Sequence, residues 1–409
     1  MPDTSSPMIA ISPAQPSTSQ KQRVMGVACG AHALHDGFTD LLYVLLPVWQ
    51  SQFGLGYAEV GTLRAIYAGA MAGLQTPAGA LADRYGRPLL LALGTMLSGI
   101  GFLVAGAAET FFALAVALVI GGLGSSTQHP IASSLVSGAF TGGSSRRALG
   151  TYNFAGDIGK MALPAATALL LTVMPWTSAM LIFGVLGIAG GMAILAVLRA
   201  PTAGGTSAKE KQEASAAVTA PAVPSSYGFP ILLSIGMIDS ATRMGFLTFL
   251  PFLLTAKGAG LPTIGIALTV LFAGGAAGKL VCAWLGERLG VLKTVWLTEG
   301  GTALAILAML PLPLEACFVL LPLVGVALNG TSSVIYGTVP ELVPEEKRTR
   351  AFGIFYTFTI GGGALSPIVY GLFSDAIGVP GMMMIVSGVV LATLPLSWWL
   401  CRAAPHIHR

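Results

Sequence analysis

The feature that most constrains this chain is a steady recurrence of apolar runs long enough to cross a bilayer. A membrane-spanning helix needs roughly 20 predominantly apolar residues. Such runs fall near 24–48, 57–81, 88–107, 110–137, 147–173 and 176–199. They return near 228–255, 262–286, 291–313, 314–340, 349–374 and 380–402. Charged residues make up only 9% of the 409, apolar residues 54%, and the mean hydropathy is +0.78. A soluble domain carries about 25% charged residues, so a water-facing fold is excluded. The expectation is an all-α polytopic membrane protein with twelve transmembrane helices.

What lies between the runs sets the domain plan. Residues 1–22, rich in Ser, Pro and Gln, read as a disordered cytoplasmic tail, with no cleavable signal evident. Residues 23–199 form a first six-helix half and 228–402 a second. The small, polar, Pro-containing stretch 200–227 reads as a flexible cytoplasmic loop joining them, and 403–409 as a second cytoplasmic tail. The four cysteines (Cys29, Cys282, Cys317, Cys401) have no metal-ligand or CxxC spacing, so no cofactor is implied.

Orientation follows from Lys and Arg. With both termini inside, 16 of the 21 basic residues fall on cytoplasmic segments and one, Lys257, on an outer loop. The other four (Arg64, Lys160, Arg243, Lys279) lie within spans. The formal net charge of +4 is therefore inside-loop bias and not a nucleic-acid footprint. A multi-pass inner-membrane protein, working as a monomer in a lipid bilayer, is expected.

The halves repeat at an offset of about 204. Gly79-Ala-Leu-Ala-Asp-Arg-Tyr-Gly86 matches Ala283-Trp-Leu-Gly-Glu-Arg-Leu-Gly290, placing Asp83 over Glu287 and Arg84 over Arg288. Arg147-Ala-Leu-Gly150 with Pro164 matches Arg350-Ala-Phe-Gly353 with Pro367, and Leu46-Pro47 matches Leu250-Pro251. Two six-helix halves related by a parallel repeat are a transporter architecture.

At GALADRYGRP (79–88) the chain resembles the major facilitator superfamily, whose loop between helices 2 and 3 carries G-x-L-a-D-r-x-G-r. With twelve spans and the degenerate copy at 283–290, the resemblance covers nearly the whole chain. HALHDGFTDLLYVLLP (32–47), LQTPAG (74–79) and GSSTQHPIASS (124–134) are also similar to its fosmidomycin-resistance-like branch. The resemblance implies that Gly79, Asp83, Arg84, Gly86, Arg87, Glu287 and Arg288 form a gating latch between the halves. Their own chemistry is compatible: glycines allow close helix approach and a tight turn, and Asp83 can accept from a helix N-terminus or an Arg. As topology anchors alone, Arg84 and Arg87 would need no such partner.

The sharpest signal is a set of charges where a membrane span should carry none. Asp36, Asp40, Arg64, Asp157, Lys160, Asp239 and Arg243 all fall inside spans. At roughly 2.5–3.5 kcal/mol each at mid-bilayer, seven facing lipid would cost about 20 kcal/mol. They must face one another or a water-filled cavity. On an ideal helix His32, His35, Asp36, Thr39 and Asp40 share an arc of about 140°. Helix 2 offers Arg64 and Tyr67, and the resemblance, by placing helices 1, 2, 4 and 5 around the cavity, makes Arg64 the expected partner of Asp36. Helix 5 supplies Asn153 and the Gly156-Asp-Ile-Gly-Lys160 segment. Its Asp157 and Lys160 are spaced for an in-helix pair, or Lys160 binds a substrate anion that Asp157 releases.

Helix 4 contributes Gln128 and His129, with Pro130 kinking the helix. His129 either binds substrate or a proton, or is simply hydrogen-bonded. Helix 7 carries Asp239, which falls over His35 at the 204 offset, and Arg243 one turn on. They form either a self-satisfied pair or half of a site between the halves. Tyr336 would line the second half of that cavity. Lys279 and Glu299 read as lying nearer helix ends. Three intramembrane cations oppose divalent binding, so no metal site is expected.

These residues lead to a proton-coupled secondary transporter, not an enzyme, working by rocking-switch alternating access on a small anionic or zwitterionic compound. Asp36 is the expected proton carrier, with Asp40 and Asp157 next. Among the residues above, His32, His35, Arg64, Tyr67, Gln128, His129, Asn153, Lys160, Asp239, Arg243 and Tyr336 are the expected substrate contacts. No Walker-type phosphate loop is present. The resemblance implies efflux by proton antiport, while an anion-binding cavity equally suits proton-coupled uptake of an organic acid. A non-transporting receptor is the third reading.

Overall fold

The computed structural model describes residues 17–140, 143–198, 227–344 and 347–404. Residues 1–16, 199–226 and 405–409, which hold most of the expected tails and joining loop, lie outside the described residues. The regular structure is helical throughout. The first span is α1 (Thr18–Asp40) and α2 (Leu42–Phe53), the second α3 (Tyr57–Gly73) and α4 (Gln75–Tyr85), and the third α5 (Arg87–Gly106). The fourth is α6 (Phe111–Ser125) and α7 (Gln128–Ala139), the fifth α8 (Gly143–Leu170) and the sixth α9 (Trp176–Leu198). In the second half α10 (Gly228–Ala256) is the seventh span. α11 (Leu261–Met309) holds the eighth and ninth, which part at Gly290, and α12 (Leu314–Leu342) is the tenth. α13 (Arg348–Leu391) and α14 (Thr393–Ala403) supply the last two, parting at Gly378.

Several breaks have a sequence cause. Pro130 sits in the first turn of α7, where its missing N–H has no helical acceptor to lose, and the fourth span breaks just before it. Gly54 and Gly86 take positive φ (63° and 98°), as do Gly258 and Gly290 (91° and 76°). The spacing is 258 − 54 = 290 − 86 = 204, so the repeat recurs in backbone conformations that favour glycine.

By length and composition alone, seven helical stretches among the described residues are apolar enough to cross a membrane: 87–106, 111–139, 176–198, 261–282, 284–309, 314–342 and 350–403. The spans left out are the first, second, fifth and seventh. Those four carry Asp36, Asp40, Arg64, Asp157, Lys160, Asp239 and Arg243.

The apolar cores show how the halves meet. One large cluster joins them, gathering Leu42, Leu46 and Trp49 of α2 with Phe246, Phe249 and Leu250 of α10. Two smaller clusters belong to one half each, around Ile131 and Val136 in the first and Ile335 and Val339 in the second. The shared core lies at the end far from the termini. There the Asp375 carboxylate accepts from the Tyr57 and Ala58 amides at 2.7 and 2.9 Å, at the N-terminus of α3. Gly61 of α3 lies so close to the Pro367 carbonyl of α13 that a Cβ would collide with it. The Asp157–Lys279 ion pair also joins the halves. At the end bearing the termini the apolar core is divided, one cluster to each half. The bundle is closed at the far end and parted at the end bearing the termini.

Candidate substrate and proton site

Glycine builds the first part of the site. A Cβ on Gly159 of α8 would strike the Ala33 carbonyl of α1, and one on Gly37 would strike Leu163. The helices therefore meet almost backbone to backbone. At Gly156 a Cβ would stand 2.7 Å from His32 Nε2 and 2.8 Å from Asp36 Oδ2. The absence of a side chain there leaves room for both groups against α8.

Asp36 is the hub of the resulting cluster. Its Oδ2 lies 3.3 Å from His32 Nε2 and 3.4 Å from Lys160 Nζ, and its Oδ1 lies 3.7 Å from His129 Nε2. His32 is held by the Tyr152 carbonyl at 2.8 Å from Nδ1 and stacks on the Tyr152 ring at 4.1 Å. His129 meets the His32 ring edge-on at 5.2 Å. Gln128 donates to the Tyr152 hydroxyl at 2.8 Å, which ties the fourth span to the fifth. Asp36 is buried, while the Lys160 and His129 side chains are 33% and 41% exposed. The accessible face of the cluster is therefore cationic or neutral, with the acid behind it.

Partner choice departs from expectation at three places. Asp36 pairs with Lys160, not with Arg64. Arg64 is 2% exposed, donates to the Tyr43 hydroxyl at 3.0 Å, and sits 4.9 Å from the Tyr43 ring centroid. Asp157 does not pair within its helix. It takes Lys279 of α11 at 2.6 and 2.8 Å, binding the fifth span to the eighth. Asp239 and Arg243 make no ion pair within 4 Å. For Asp157 and Asp239 the i, i+3 or i, i+4 spacing permits a local pair, but neither forms one, and Asp157 takes the ammonium that α11 presents.

His35 turns away from the cluster. Its Nε2 and Nδ1 lie 2.9 and 3.2 Å from Thr95 and Ser125, in a polar network with Ser98 and the Tyr67 hydroxyl. His35 and Tyr67 thus bind α1 and α3 to α5 and α6. Asp40 is buried and, among the described residues, has no ion pair within 4 Å. The charges around it are Lys160, Arg64, Asp36 and Arg243. Asn153 is exposed.

In the second half, Asp239, Arg243 and Tyr336 line one small open cleft, with Ser240, Ser332 and Thr359. Tyr336 is stacked on Tyr356 at 5.0 Å. Glu299, read from sequence as lying nearer a helix end, is instead 2% exposed in the middle of the ninth span. Its signal was present: an acid eight residues into an apolar run costs as much as the seven charges counted. Lys279 was underrated in the same way.

At the terminal end, Asp83 pairs with Arg87 of its own half at 3.4 Å. Arg84 lies over Tyr85, and Arg288 over Trp284. Gly86 supplies the positive-φ turn between α4 and α5. Gly79 faces Pro130, with 4.0 Å from its Cβ position to the proline ring. Among the described residues, none of the seven latch residues makes an ion pair across the halves.

His32, Asp36 and His129 each offer one ligand atom within 4.8 Å of the others. The Lys160 ammonium 3.4 Å from the same carboxylate opposes a second cation, so the donor set fits a divalent metal poorly.

Two stretches of the chain, 28–238 and 232–409, match the sequence model of the Major Facilitator Superfamily. The chain belongs to the Major Facilitator Superfamily. It is a multi-pass membrane transporter of small organic compounds and not an enzyme. Among its superfamily relatives is the fosmidomycin resistance protein of Escherichia coli K12, 25% identical over 86% of each chain. The probable 4-methylmuconolactone transporter of Cupriavidus pinatubonensis is 24% identical, over 89% of this chain and 87% of that one. The fold matches a bacterial homologue of the human lysosomal transporter Spinster, crystallised inward-facing and occupied. The TM-score is 0.78 at 16% identity, over 96% of this chain and 99% of the other.

Proposed function

We propose that this superfamily member is a proton-coupled, rocking-switch transporter in the cell's inner membrane that expels a small anionic or zwitterionic organic compound by H⁺ antiport. The observation that carries this reading is the Asp36–Lys160 contact. One buried acid holds the cation that faces the accessible side of the cluster. Protonating Asp36 removes its charge and frees Lys160, with His129 beside it, to bind a substrate anion. Deprotonation restores the pair and releases the anion. Arg243, which lines the second-half cleft and has no ion-pair partner among the described residues, supplies a second anion grip from the other half.

Lys and Arg bias supports placing both termini in the cytoplasm, which makes the parted end inward-facing. The resistance named for the Escherichia coli relative supports efflux over uptake. The test is a candidate-substrate screen in inside-out and right-side-out vesicles under an imposed pH gradient. Proton-linked flux should run in the export direction. Flux in the import direction would establish uptake, and none in either orientation for any bound compound would sink the coupling. Asp36→Asn should abolish gradient-driven accumulation while substrate exchange persists. Normal accumulation in that variant would remove Asp36 as the carrier.

A further inference from the structure

Asp239 and Glu299 are 5% and 2% exposed. At the 204 offset they take the places of His35 and Thr95 (239 − 35 = 299 − 95 = 204), whose side chains meet at 2.9 Å, which sets the two carboxyl groups against each other across α10 and α11. A carboxylate has no hydrogen to donate, so a hydrogen bond between two carboxyls contains a proton. Without that proton, two like charges would touch in a buried site. Among the described residues, no Lys, Arg or His nitrogen lies within 4 Å of either acid.

The titratable and charged groups that face the pair are Arg243 on α10, Cys282 on α11 and Tyr336 on α12. α12 also presents Thr331 beside Glu299, and α13 presents only the neutral Thr359 to the cleft. Asp239 lines that cleft with Arg243 and Glu299 does not. The pair therefore has a wet end at Asp239 and a dry end at Glu299.

We infer that Asp239 and Glu299 share one exchangeable proton and form a proton-binding site in the second half, separate from the Asp36 cluster. The proton leaves through Asp239, to water in the cleft. The charge left behind stands one helical turn from Arg243 and supplies the counter-ion that Arg243 lacks. Arg243 then holds a substrate anion less strongly. Reprotonation removes that competitor. The coupling role rests on the proton-coupled reading above, but the shared proton does not.

Infrared spectroscopy of the reconstituted protein separates the two. The wild type should show a protonated-carboxyl C=O band at neutral pH. Glu299→Asp, which keeps the acid, should shift the band, and Asp239→Asn with Glu299→Gln should remove it. A wild type without the band, or a band that neither change affects, overturns the shared proton. In vesicles, a gradient of about one pH unit drives about a tenfold accumulation ratio per coupled proton. Glu299→Gln should lower the wild-type ratio by that factor. A wild-type ratio in Glu299→Gln, with wild-type coupling intact, overturns the coupling role. Absence of proton-linked flux in the wild type overturns both that role and the proposed function, while the infrared band still decides the pair.

Discussion

Arg64 shows what a single buried charge demands. Its Nη2 donates to Tyr43, but Nε and Nη1 have no hydrogen-bond partner among the described residues. Removing the Tyr43 hydroxyl by Tyr43→Phe leaves Nη2 with only the weak Met244 Sδ acceptor at 3.8 Å and should cost about 1–3 kcal/mol, read as a lower midpoint of thermal unfolding in detergent. Arg64→Met keeps the stem and discards the charge, so stability should hold or rise. Transport should nonetheless fail if the guanidinium serves the anion or Asp40. Transport at the wild-type rate in Arg64→Met would make Arg64 a packing residue. Residues such as this mark the limit of reading from sequence. Hydropathy reveals that Arg64, Asp36 and Lys160 lie in the bilayer, and helical spacing reveals their faces. The choice of Lys160 over Arg64 as partner of Asp36 depends on the tilt and rotation of α3 and α8, which no single helix encodes.

Among the elements, α8 shows how spacing becomes geometry. Gly156 and Gly159 face α1, while Asp157 and Lys160, one residue on from each, flank that contact and reach α11 and Asp36. Gly156→Ala forces a Cβ into His32 and Asp36. Overpacking of that kind costs about 1–3 kcal/mol, so coupled transport should fall roughly tenfold while the protein stays folded. Vesicle uptake alongside size-exclusion chromatography checks it. The far-end closure is held in part by Asp375, whose two carboxylate oxygens each accept one amide of α3. Asp375→Asn can keep one of those bonds. An introduced Met244→Cys, beside Arg64 and Tyr43, should then react faster with a membrane-impermeant reagent added from the far side. An unchanged rate would show that the closure does not depend on Asp375. The pattern Gly-x-x-Gly was visible in the sequence, but which helix it packs against was not.

For the whole molecule, the span count and the offset of 204 were legible because both follow from local composition and turn glycines. The state of the molecule was not, since parted and closed halves share one sequence. The Asp157–Lys279 ion pair crosses between the halves. Lys279→Asp should slow transport several-fold, and Asp157→Lys in the same chain should recover part of the loss. No recovery would mean that the contact does not couple the halves.

The Asp36–Lys160 contact also bears on how the chain is made. Lys160 is synthesised 124 residues after Asp36 (160 − 36), roughly 6–25 s later at about 5–20 residues per second. Through that interval the first span holds an acid without its partner, and lipid is a poor place for it. A nascent chain stopped before the fifth span should leave its first span loosely inserted and extractable by alkali, and one extended past Lys160 should not. The ion pair that serves transport in the finished protein thus sets the earliest moment at which its first helix can be released into the membrane.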